Sequence, residues 1–450
     1  MKKKFAAVVA IALCVTFALA ACGGGGTTPP ASGGSSAAPG SSAPAPGGSA
    51  PSNAPDSITI GIPMPFTGNI AGFGFGAPFV QQLVCDKVNA DGGVYVKDYN
   101  KKIPIKVDIQ DSQGTQDGAG KIAEQMVTND HVTMLIAQHT PDNTVPVINV
   151  AEKYGVPCVS NGCPSDAVRG LGQLQWTYHA FWDTTDCISA YIGLWKQLGY
   201  GPGTVVGFLF PNDADALSWT EIANKLVPEA GYTVSNPGTY PAGNTDWTSI
   251  INQFKKDKVQ IIIGNDFAFD FNAFATQAVQ QGFSPEFTTM GRAFLFPSDA
   301  NALPMSIANG LTSEVWWAPS WPFKSSIDGM TCQQLADAWM KSGEQGSDDW
   351  YATLGDKYDA MEVCIDSITR AGSLDPAKIR DALAATDLDT IGGHVKYDQT
   401  THIGVMPVTV GQWFLNDAGD KVSVKVVYTG KFTDVQPEAT AFKPTKKWGS

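Results

Sequence analysis

The sequence ITIGIPMPFTGNIAGFGFGAPF, residues 58–79, joins a short apolar run to a glycine-rich segment and then to the start of a helical pattern. Gly72, Gly74 and Ala77 have the spacing G-x-G-x-x-G/A, which in dinucleotide-binding folds cradles a pyrophosphate. In those folds the first glycine directly follows the strand, whereas here about nine residues separate Ile62 from Gly72. The acidic residue expected about 20 positions further on also comes much later in this chain. The stretch therefore predicts a strand, a glycine-rich loop that faces another ligand, and a helix.

Apolar runs and helical patterns alternate along the rest of the chain. This alternation predicts an α/β fold with parallel sheets flanked by helices. The cycle restarts after about residue 200, and nearly 400 residues follow the first 56, which suits two α/β lobes with a cleft between them. The predicted strands are 58–62, 103–109, 132–137, 156–160, 205–210, 232–237 and 261–264, and the predicted helices are 80–88, 119–128, 145–154, 217–230, 248–256, 272–281, 335–340, 358–371 and 377–385.

The N-terminal segment has the composition of an export signal followed by a tether. Three lysines precede an apolar run over 5–21, which is typical of a secretory signal peptide. The run ends Leu-Ala-Ala-Cys22, which resembles the bacterial lipobox, in which the cysteine is lipidated and becomes the mature N-terminus; an ordinary cleavage site is the alternative. The following residues are almost wholly Gly, Ser, Ala, Pro and Thr, which predicts a disordered tether. We therefore predict a signal peptide over 1–21, a tether over 22–56 anchored by lipid at Cys22, and a location on the extracytoplasmic face of the cell membrane.

Charge and cysteine content narrow the classes of partner. The formal net charge of −13 disfavours binding to nucleic acid, because an acidic surface repels the phosphate backbone.

Six cysteines follow the tether, and six thiols allow 15 disulfide connectivities. Cys332 and Cys364 lie on helical segments of the C-terminal part and are the candidate disulfide. Cys158 and Cys163 are separated by four residues, but no second close pair or His-x-x-x-His accompanies them, so no metal site is predicted.

Several segments, in order, resemble the branched-chain amino acid and amide solute-binding proteins of ABC importers. The resemblance spans about Ser57 to Trp413 and is carried by ITIGIPMPFTGNIAGFG, VNADGGV, IPIKVDIQDSQ, VINVAEKYGVPCVS, TYPAGNTDWTSIINQFKKDKVQIII, FNAFATQAVQQGF, KYDAMEVCIDSITRAGSLDPAKIRDAL and IGGHVKYD. It implies a type I periplasmic binding protein fold, in which two Rossmann-like lobes joined by three crossovers close on a solute. On this basis lobe 1 comprises 57–178 and 311–404, and lobe 2 comprises 179–310 and 405–450. The implied partners of this monomeric, cofactor-free protein are a small-molecule solute and the permease subunits of an ABC importer.

The resemblance also supplies candidate ligand-binding residues in the first lobe. In many relatives an aromatic side chain in the loop after the first strand covers the solute, and Phe73 has that place here; the alternative is that Phe73 packs against its own lobe. Pro141 stands where relatives have a ligand-binding hydroxyl, so the neighbouring residues are expected to take over. The first-lobe candidates are Phe73, Gln138, His139, Thr140, Asn161 and Gly162.

The second lobe departs from the pattern of amino-acid binders. Relatives bind the amino group with an acid in an M-G-x-E-like stretch, whereas this chain has Met-Gly-Arg292-Ala293. Arginine suits a carboxylate in bidentate geometry, although a structural salt bridge is the alternative role of Arg292. We therefore predict an apolar or aromatic solute with a carboxylate, bound by Asp213, Phe267 and Arg292. Alternatives are the branched-chain amino acids themselves, and a role as ligand sensor for a membrane receptor. A cationic ligand also stays open, because the acids Asp213, Asp215, Asp266 and Asp270 lie in the same loops.

Catalysis is not predicted. An enzyme of this size would need a nucleophile with its base, a metal site or paired carboxylates in the cleft. The five histidines lie in no recognisable catalytic motif, and the sequences G-x-S-x-G and H-E-x-x-H are both absent.

Overall fold

A computed structural model describes residues 53–450. The predicted signal peptide, the tether up to residue 52 and the lipidation site at Cys22 lie outside the described residues. Within residues 53–450, none of the helices is both long enough and apolar enough to span a bilayer.

The described residues form strands and helices in the alternation that the sequence predicts. The strands are β1 (Ile58–Met64), β2 (Val94–Val96), β3 (Lys101–Ile103), β4 (Ile105–Asp111), β5 (Met134–Gln138), β6 (Cys158–Asn161), β7 (Thr177–Phe181), β8 (Val205–Leu209), β9 (Thr233–Ser235), β10 (Ile261–Asn265), β11 (Phe287–Gly291), β12 (Thr312–Val315), β13 (Asp387–Thr390), β14 (Gly393–Lys396), β15 (Ile403–Val405), β16 (Thr409–Leu415) and β17 (Val422–Tyr428). The α-helices are α1 (Ala77–Ala90), α2 (Gln116–Thr128), α3 (Thr140–Tyr154), α4 (Ser165–Arg169), α5 (Thr184–Gln197), α6 (Ala214–Glu229), α7 (Thr248–Asp257), α8 (Ala268–Gln280), α9 (Pro297–Asn301), α10 (Met305–Ala308), α11 (Cys332–Lys341), α12 (Thr353–Ala371) and α13 (Pro376–Ala384).

Two large sheets define the two lobes and confirm the predicted α/β class. The first sheet has the spatial order β15-β7-β6-β5-β1-β4, and all its neighbouring strands are parallel. The second has the order β17-β16-β12-β11-β10-β8-β9 and is parallel except for β16 and β17. In the first sheet β1 lies between β4 and β5, and in the second β8 lies between β9 and β10. The strand order therefore reverses beside the first strand of each sheet. Ligands of open α/β sheets bind outside the carboxyl ends of the strands at such a reversal.

The chain crosses between the two sheets three times within residues 53–450, after β7, after β12 and between β15 and β16. Two predicted lobe boundaries are therefore wrong by a few residues. The boundary at 178/179 cuts through β7, which pairs with β6 and β15 in the first sheet. The boundary at 310/311 assigns β12 to lobe 1, although this strand pairs with β11 and β16 in the second sheet. The third predicted boundary, at 404/405, falls between the last two residues of β15.

Alternate side chains of the central strands pack against helices on opposite faces of the first sheet. Leu135 and Ala137 of β5 belong to a core formed with α2 and α3, whereas Met134 and Ile136 belong to the larger core that contains α1 and α12. Helix α12 lies so deep that 14 of its 19 residues are buried. Charged side chains of this helix therefore enter the interior beside the carboxyl ends of β5 and β6.

The predicted disulfide is not present. All six cysteines of the described residues are free and buried. Cys332 is the first residue of α11, and its sulfur lies 3.5 and 3.4 Å from the backbone oxygens of Phe323 and Ile391, which share its single S–H donor. Cys364 lies inside α12, where burial first and then the neighbouring Cys158 raise its pKa. The two thiols therefore have different neighbours, and the expectation of a Cys332–Cys364 bond was wrong.

Candidate functional site

A cavity lies where the carboxyl ends of both sheets face each other. The empty space there measures about 300 Å³, part of which is open to solvent. Loops and strand ends of both lobes contribute to its walls. The lining residues are Phe73, Thr140, Gly162, Pro164, Phe181, Trp182, Asp215, Trp219, Asn265, Arg292, Leu295, Glu314 and Trp316.

Aromatic side chains form much of the cavity wall. The rings of Trp182 and Trp219 are 5.9 Å apart and inclined by 85°. The rings of Phe181 and Trp316 are 5.4 Å apart and inclined by 69°, and Trp316 also lies 6.2 Å from Trp182. These rings contact one another at inclinations between 32° and 85°, so this part of the wall is an aromatic cluster and not one flat surface.

The glycine-rich loop places Phe73 on the cavity wall, between the lobes. This ring is 5.4 Å from the ring of His139 in lobe 1 and 5.3 Å from that of Phe296 in lobe 2. A Cβ atom at Gly72 would approach the Phe296 ring to 2.7 Å, and one at Gly74 would approach the Pro65 carbonyl oxygen to 2.5 Å. The glycines thus allow close packing of a turn that carries an aromatic side chain, and this packing gives them a physical role without a phosphate.

Two of the predicted first-lobe residues, Gln138 and Asn161, lie behind the cavity wall. The Gln138 amide donates to Asn161 Oδ1 at 2.6 Å and to the Asp356 carbonyl at 3.0 Å. The Asn161 amide donates to the same carbonyl at 2.7 Å and to Asp359 Oδ1 at 2.6 Å. These side chains therefore join the ends of β5 and β6 to α12, and neither of them lines the cavity.

The other first-lobe candidates lie at the wall or directly behind it. Thr140 and Gly162 line the cavity, and the Thr140 N–H donates to the Gly162 carbonyl at 3.2 Å. A Cβ atom at Gly162 would lie 2.8 Å from both His139 Nδ1 and Asp356 Oδ2, so those two groups stand directly behind this glycine. His139 is fully buried, and burial together with the charge of Lys357 lowers its pKa well below the ordinary value.

Arg292 is held by the protein itself and has no donor left for a solute. Its Nη1 and Nη2 atoms donate to the two oxygens of Asp213 at 3.0 and 2.9 Å, and Nη1 also lies 3.5 Å from Asp215 Oδ2. The remaining N–H groups donate to the carbonyl oxygens of Asn265, at 3.0 Å, and Asp266, at 3.4 Å. These contacts occupy all five N–H donors of the guanidinium.

The expected pairing of Arg292 with a ligand carboxylate is therefore wrong, and its alternative role in a structural salt bridge is the one observed. Asp213 and Phe267, which the sequence predicts as ligand contacts, serve Arg292 instead. Asp213 forms the bidentate pair, and the Phe267 ring lies 3.9 Å from the guanidinium carbon. Neither residue lines the inner cavity.

Of the two acids at the cavity wall, the sequence names Asp215 only among the acids that leave a cationic ligand open, and it does not name Glu314. Asp215 Oδ2 accepts from the Asn265 amide at 2.8 Å, whereas the buried Oδ1 atom has no hydrogen-bond partner. Glu314 accepts from the Tyr191 hydroxyl at 2.6 Å and from the Arg292 backbone N–H at 3.1 Å. Burial raises the pKa of Asp215 to about 6, against the opposing effect of Arg292, and raises that of Glu314 to about 7.

A wider cleft lies beside the inner cavity. It has about 710 Å³ of empty volume, and Phe73 and Arg292 line both spaces. The rings of Phe267 and Phe269 stack in this outer cleft at 5.3 Å with an inclination of 9°. Phe269 is 44% exposed, so the aromatic lining continues from the inner cavity to the surface.

The arrangement of two α/β lobes around a cavity agrees with comparison to known proteins. The sequence profile of a family described as periplasmic binding protein matches residues 57–420. This chain belongs to the periplasmic binding protein family. A leucine-, isoleucine-, valine-, threonine- and alanine-binding protein of Pseudomonas aeruginosa is 23% identical to it, over 80% of this chain and 91% of that protein.

Solved structures of this periplasmic binding protein family share the fold. A leucine-binding protein of Thermotoga maritima superposes with a TM-score of 0.68 at 17% identity, covering 83% of this chain and 99% of that one. A solute-binding protein of an ABC transporter from Rhodopseudomonas palustris, in complex with 3,4-dihydroxybenzoic acid, gives a TM-score of 0.66 at 16% identity, with coverage of 85% and 99%.

Family membership assigns the chain a class of activity. Periplasmic binding proteins of this kind are not enzymes: they bind a small molecule outside the cytoplasm and deliver it to the permease of an ABC importer. The chain is therefore an extracytoplasmic solute-binding protein of the branched-chain amino acid transporter family, as the sequence predicts. Among residues 53–450, no cluster of three or more metal-ligating side chains is found.

Proposed function

We propose that this protein captures a small aromatic solute in the inner cavity and delivers it to an ABC importer. The proposal rests on the aromatic residues that line the cavity, which are Trp182, Trp219, Trp316 and Phe181. Aromatic side chains offer large apolar contact areas and favour edge-to-face or offset contacts with another ring. The binding of an aromatic acid by the Rhodopseudomonas palustris relative is consistent with this solute class.

The carboxylate that the sequence predicts for the solute is not part of the proposal. Arg292 carried that expectation, and its five N–H donors are occupied by Asp213, Asp215 and two backbone carbonyls. A branched-chain amino acid also lacks its usual partner, because Ala293 is a buried alanine where amino-acid binders have an acid. The aromatic half of the prediction is retained.

The proposal includes attachment to the membrane. The lipobox-like sequence before Cys22 and the Gly/Ser/Pro-rich tether support a lipid anchor at this cysteine. A tether of this length spans roughly 30 Å root-mean-square, since flexible linkers scale as about 5–6 Å times the square root of their length. The solute-binding domain would thus remain within reach of a permease in the same membrane.

Titration with single-ring aromatic probes tests solute capture. We expect at least one of phenethylamine, 2-phenylethanol, phenylacetate and phenylalanine to change the intrinsic tryptophan fluorescence of the purified chain. The same probe should lower the radius of gyration in small-angle scattering, because the lobes close on it, and it should be recovered chemically unchanged.

Two tryptophan variants locate the bound probe. Trp219→Phe removes a cavity wall and should weaken the affinity roughly tenfold, the loss expected for an interaction of about 1.4 kcal/mol. Trp413→Phe is the matched control, because Trp413 is equally buried but lies in β16 and does not line the cavity. Equal affinity in both variants, conversion of a probe, or no response to any probe would contradict the proposal.

A further inference from the structure

We propose that the captured solute is an organic ammonium ion whose protonated amine binds Asp215 inside the cavity. This inference rests on the proposed function and specifies the chemical class of its solute. It takes up the cationic ligand that the sequence leaves open, in place of the predicted carboxylate. Its anchor, Asp215, comes from the first turn of α6.

One oxygen of the Asp215 carboxylate has no hydrogen-bond partner. Asp215 is 5% exposed, and Arg292 and Asn265 fix its carboxylate through Oδ2 alone. The other oxygen, Oδ1, is buried at the cavity wall without a hydrogen-bond partner. Because a buried acceptor without a partner is costly, a donor that enters the cavity beside Oδ1 would be favoured. A protonated amine supplies both the N–H donor and the opposite charge, whereas a quaternary ammonium would leave the oxygen without a donor.

The cavity wall carries more acidic than basic side chains. Asp215 and Glu314 are the acidic lining residues, and Arg292 is the one cation among the residues that line the cavity. All donors of Arg292 are occupied, so a solute carboxylate would meet two acids and no free cation. Both oxygens of Glu314 already accept hydrogen bonds, which leaves Asp215 as the anchor.

Three tryptophan rings line the cavity and can attract a cation. A cation within about 6 Å of an aromatic ring face is attracted to the ring quadrupole, and tryptophan gives the strongest interaction. Trp182, Trp219 and Trp316 all line the cavity beside Asp215, and their ring planes are inclined to each other. The same walls accommodate the apolar or aromatic body of the solute, so one cavity satisfies both parts of an aromatic or alkyl amine. Burial is the main cause of the raised pKa of Asp215, about 6, and Arg292 opposes it, so the positive charge of a bound amine would favour the ionised carboxylate.

The four probes form a matched set for this inference, because they attach an ammonium, a hydroxyl, a carboxylate, or both charges to a phenyl ring on a short chain. On the unmodified chain, calorimetry should give the tightest binding for phenethylamine. We expect roughly a ten- to hundredfold advantage over 2-phenylethanol, the range for one hydrogen bond to a charged group. Equal or tighter binding of phenylacetate or 2-phenylethanol, or failure of phenethylamine to bind, would overturn the assignment.

The variant Asp215→Asn tests the anchor. It should reduce the affinity for phenethylamine at least tenfold and that for 2-phenylethanol by a smaller factor, since both lose a charged acceptor but only the amine loses its opposite charge. Asp270→Asn is the control, because Asp270 is a buried acid of the same lobe that binds the Gly243 N–H and does not line the cavity. An equal loss in both variants, or none in Asp215→Asn, would contradict the role of Asp215.

The outcomes separate this inference from the proposed function. Lobe closure on phenylacetate without binding of phenethylamine would refute the ammonium assignment and leave aromatic solute capture standing. Absence of closure and of a fluorescence response with all four probes would contradict both.

Discussion

Arg292 carries a positive charge into a buried site, where Asp213 receives it with both carboxylate oxygens at 2.9 and 3.0 Å. The Arg292 side chain is 4% exposed, and Phe267 covers one face of the guanidinium. Its backbone adopts a φ of 62°, in the left-handed region that non-glycine residues rarely occupy. A residue held in this way fixes the ends of β8, β10 and β11 relative to one another, and it thereby shapes the wall that carries Asp215.

At the residue scale we predict that Arg292→Ala lowers the free energy of unfolding by about 3–5 kcal/mol, the usual cost of removing one partner of a buried ion pair. The loss arises because Asp213 and Asp215 remain buried without their cation. Chemical denaturation monitored by circular dichroism measures the change.

A double-mutant cycle with Asp213→Ala provides the control for the Arg292 prediction. If the two residues form one unit, the losses should be coupled by about 1 kcal/mol or more, because removal of both charges leaves one fewer unpaired group. Additive losses would show that Arg292 is stabilised by other contacts and would contradict this account.

At the scale of elements, the loop after β6 meets helix α12 with almost no space between them. Gly162 has a φ of 66° and lies against the side chains of His139 and Asp356. Asp356 belongs to α12, whose backbone also accepts the amides of Gln138 and Asn161. The helix thus sets the position of the loop that forms the lobe 1 side of the cavity.

We predict that Gly162→Ala destabilises the protein more than Gly172→Ala. Both glycines have positive φ, so each alanine costs about 1–2 kcal/mol of backbone strain. Only at Gly162 would the added Cβ meet atoms at 2.8 Å, whereas nothing lies within 4 Å of the Cβ position at Gly172. Displacement of those atoms should add about 1–3 kcal/mol, typical of an overpacked interior. Equal losses of unfolding free energy in the two variants would show that the loop can move away from α12.

The elements that the sequence predicts are those with aliphatic runs, such as the isoleucines of β1 and β10. The sequence does not reveal β7 and β11, although all five residues of each are buried, because they contain Thr, Tyr and His. These polar groups are satisfied inside the protein: His179 pairs with Ser160 at 2.8 Å, and Thr289 accepts from Trp195 at 2.9 Å. Such partners are distant in sequence, so a local pattern does not show them.

The candidate site is predictable to the extent that its strands are recognised. Phe73, Thr140 and Gly162 follow strands that the sequence predicts, and all three line the cavity. Trp182 directly follows β7, and Glu314 lies within β12. The sequence predicts neither of these strands, so it does not identify these two residues as part of the site. The role of Arg292 depends on Asp213, 79 residues away, and only the folded structure shows that this pair forms.

At the scale of the whole molecule, the interior contains more acid than it can neutralise. Burial raises the pKa of Asp215 to about 6 and those of Glu314, Asp356 and Glu362 to about 7, from ordinary values of 3.8 for Asp and 4.5 for Glu. For Asp356, the charge of Lys357 opposes this rise. Between pH 4 and 7 the folded chain therefore retains protons that the unfolded chain has released. Each such group makes unfolding easier as the pH rises, by about 1.4 kcal/mol per pH unit at most.

We therefore predict that the melting temperature rises when the pH is lowered from about 7.5 to about 5.5. The stabilising contribution of an acid with a raised pKa is complete below its unfolded value and is lost as the pH rises through its folded value. Lys357, whose pKa burial lowers to about 7, opposes the trend at the upper end of this range. Two buried histidines also oppose it, because burial lowers the pKa of His179 to about 3 and that of His139 well below 6.5. Below about pH 6.5 the unfolded chain gains protons at these two sites, but the four acids outnumber them.

Scanning calorimetry at constant ionic strength measures the effect, and Glu362→Gln is the informative variant. Glu362 is a buried acid of α12 that accepts from the Ile391 N–H at 2.9 Å and from the Ser326 hydroxyl at the same distance. Whatever the glutamine does to the overall stability, it cannot titrate, so the slope of melting temperature against pH should become shallower. Glu221→Gln on the exposed face of α6 is the control and should preserve the slope of the unmodified chain. A melting temperature that stays constant or falls on acidification over this range would show that the interior acids are already ionised in the folded protein, and that their charges are balanced by contacts other than those described here.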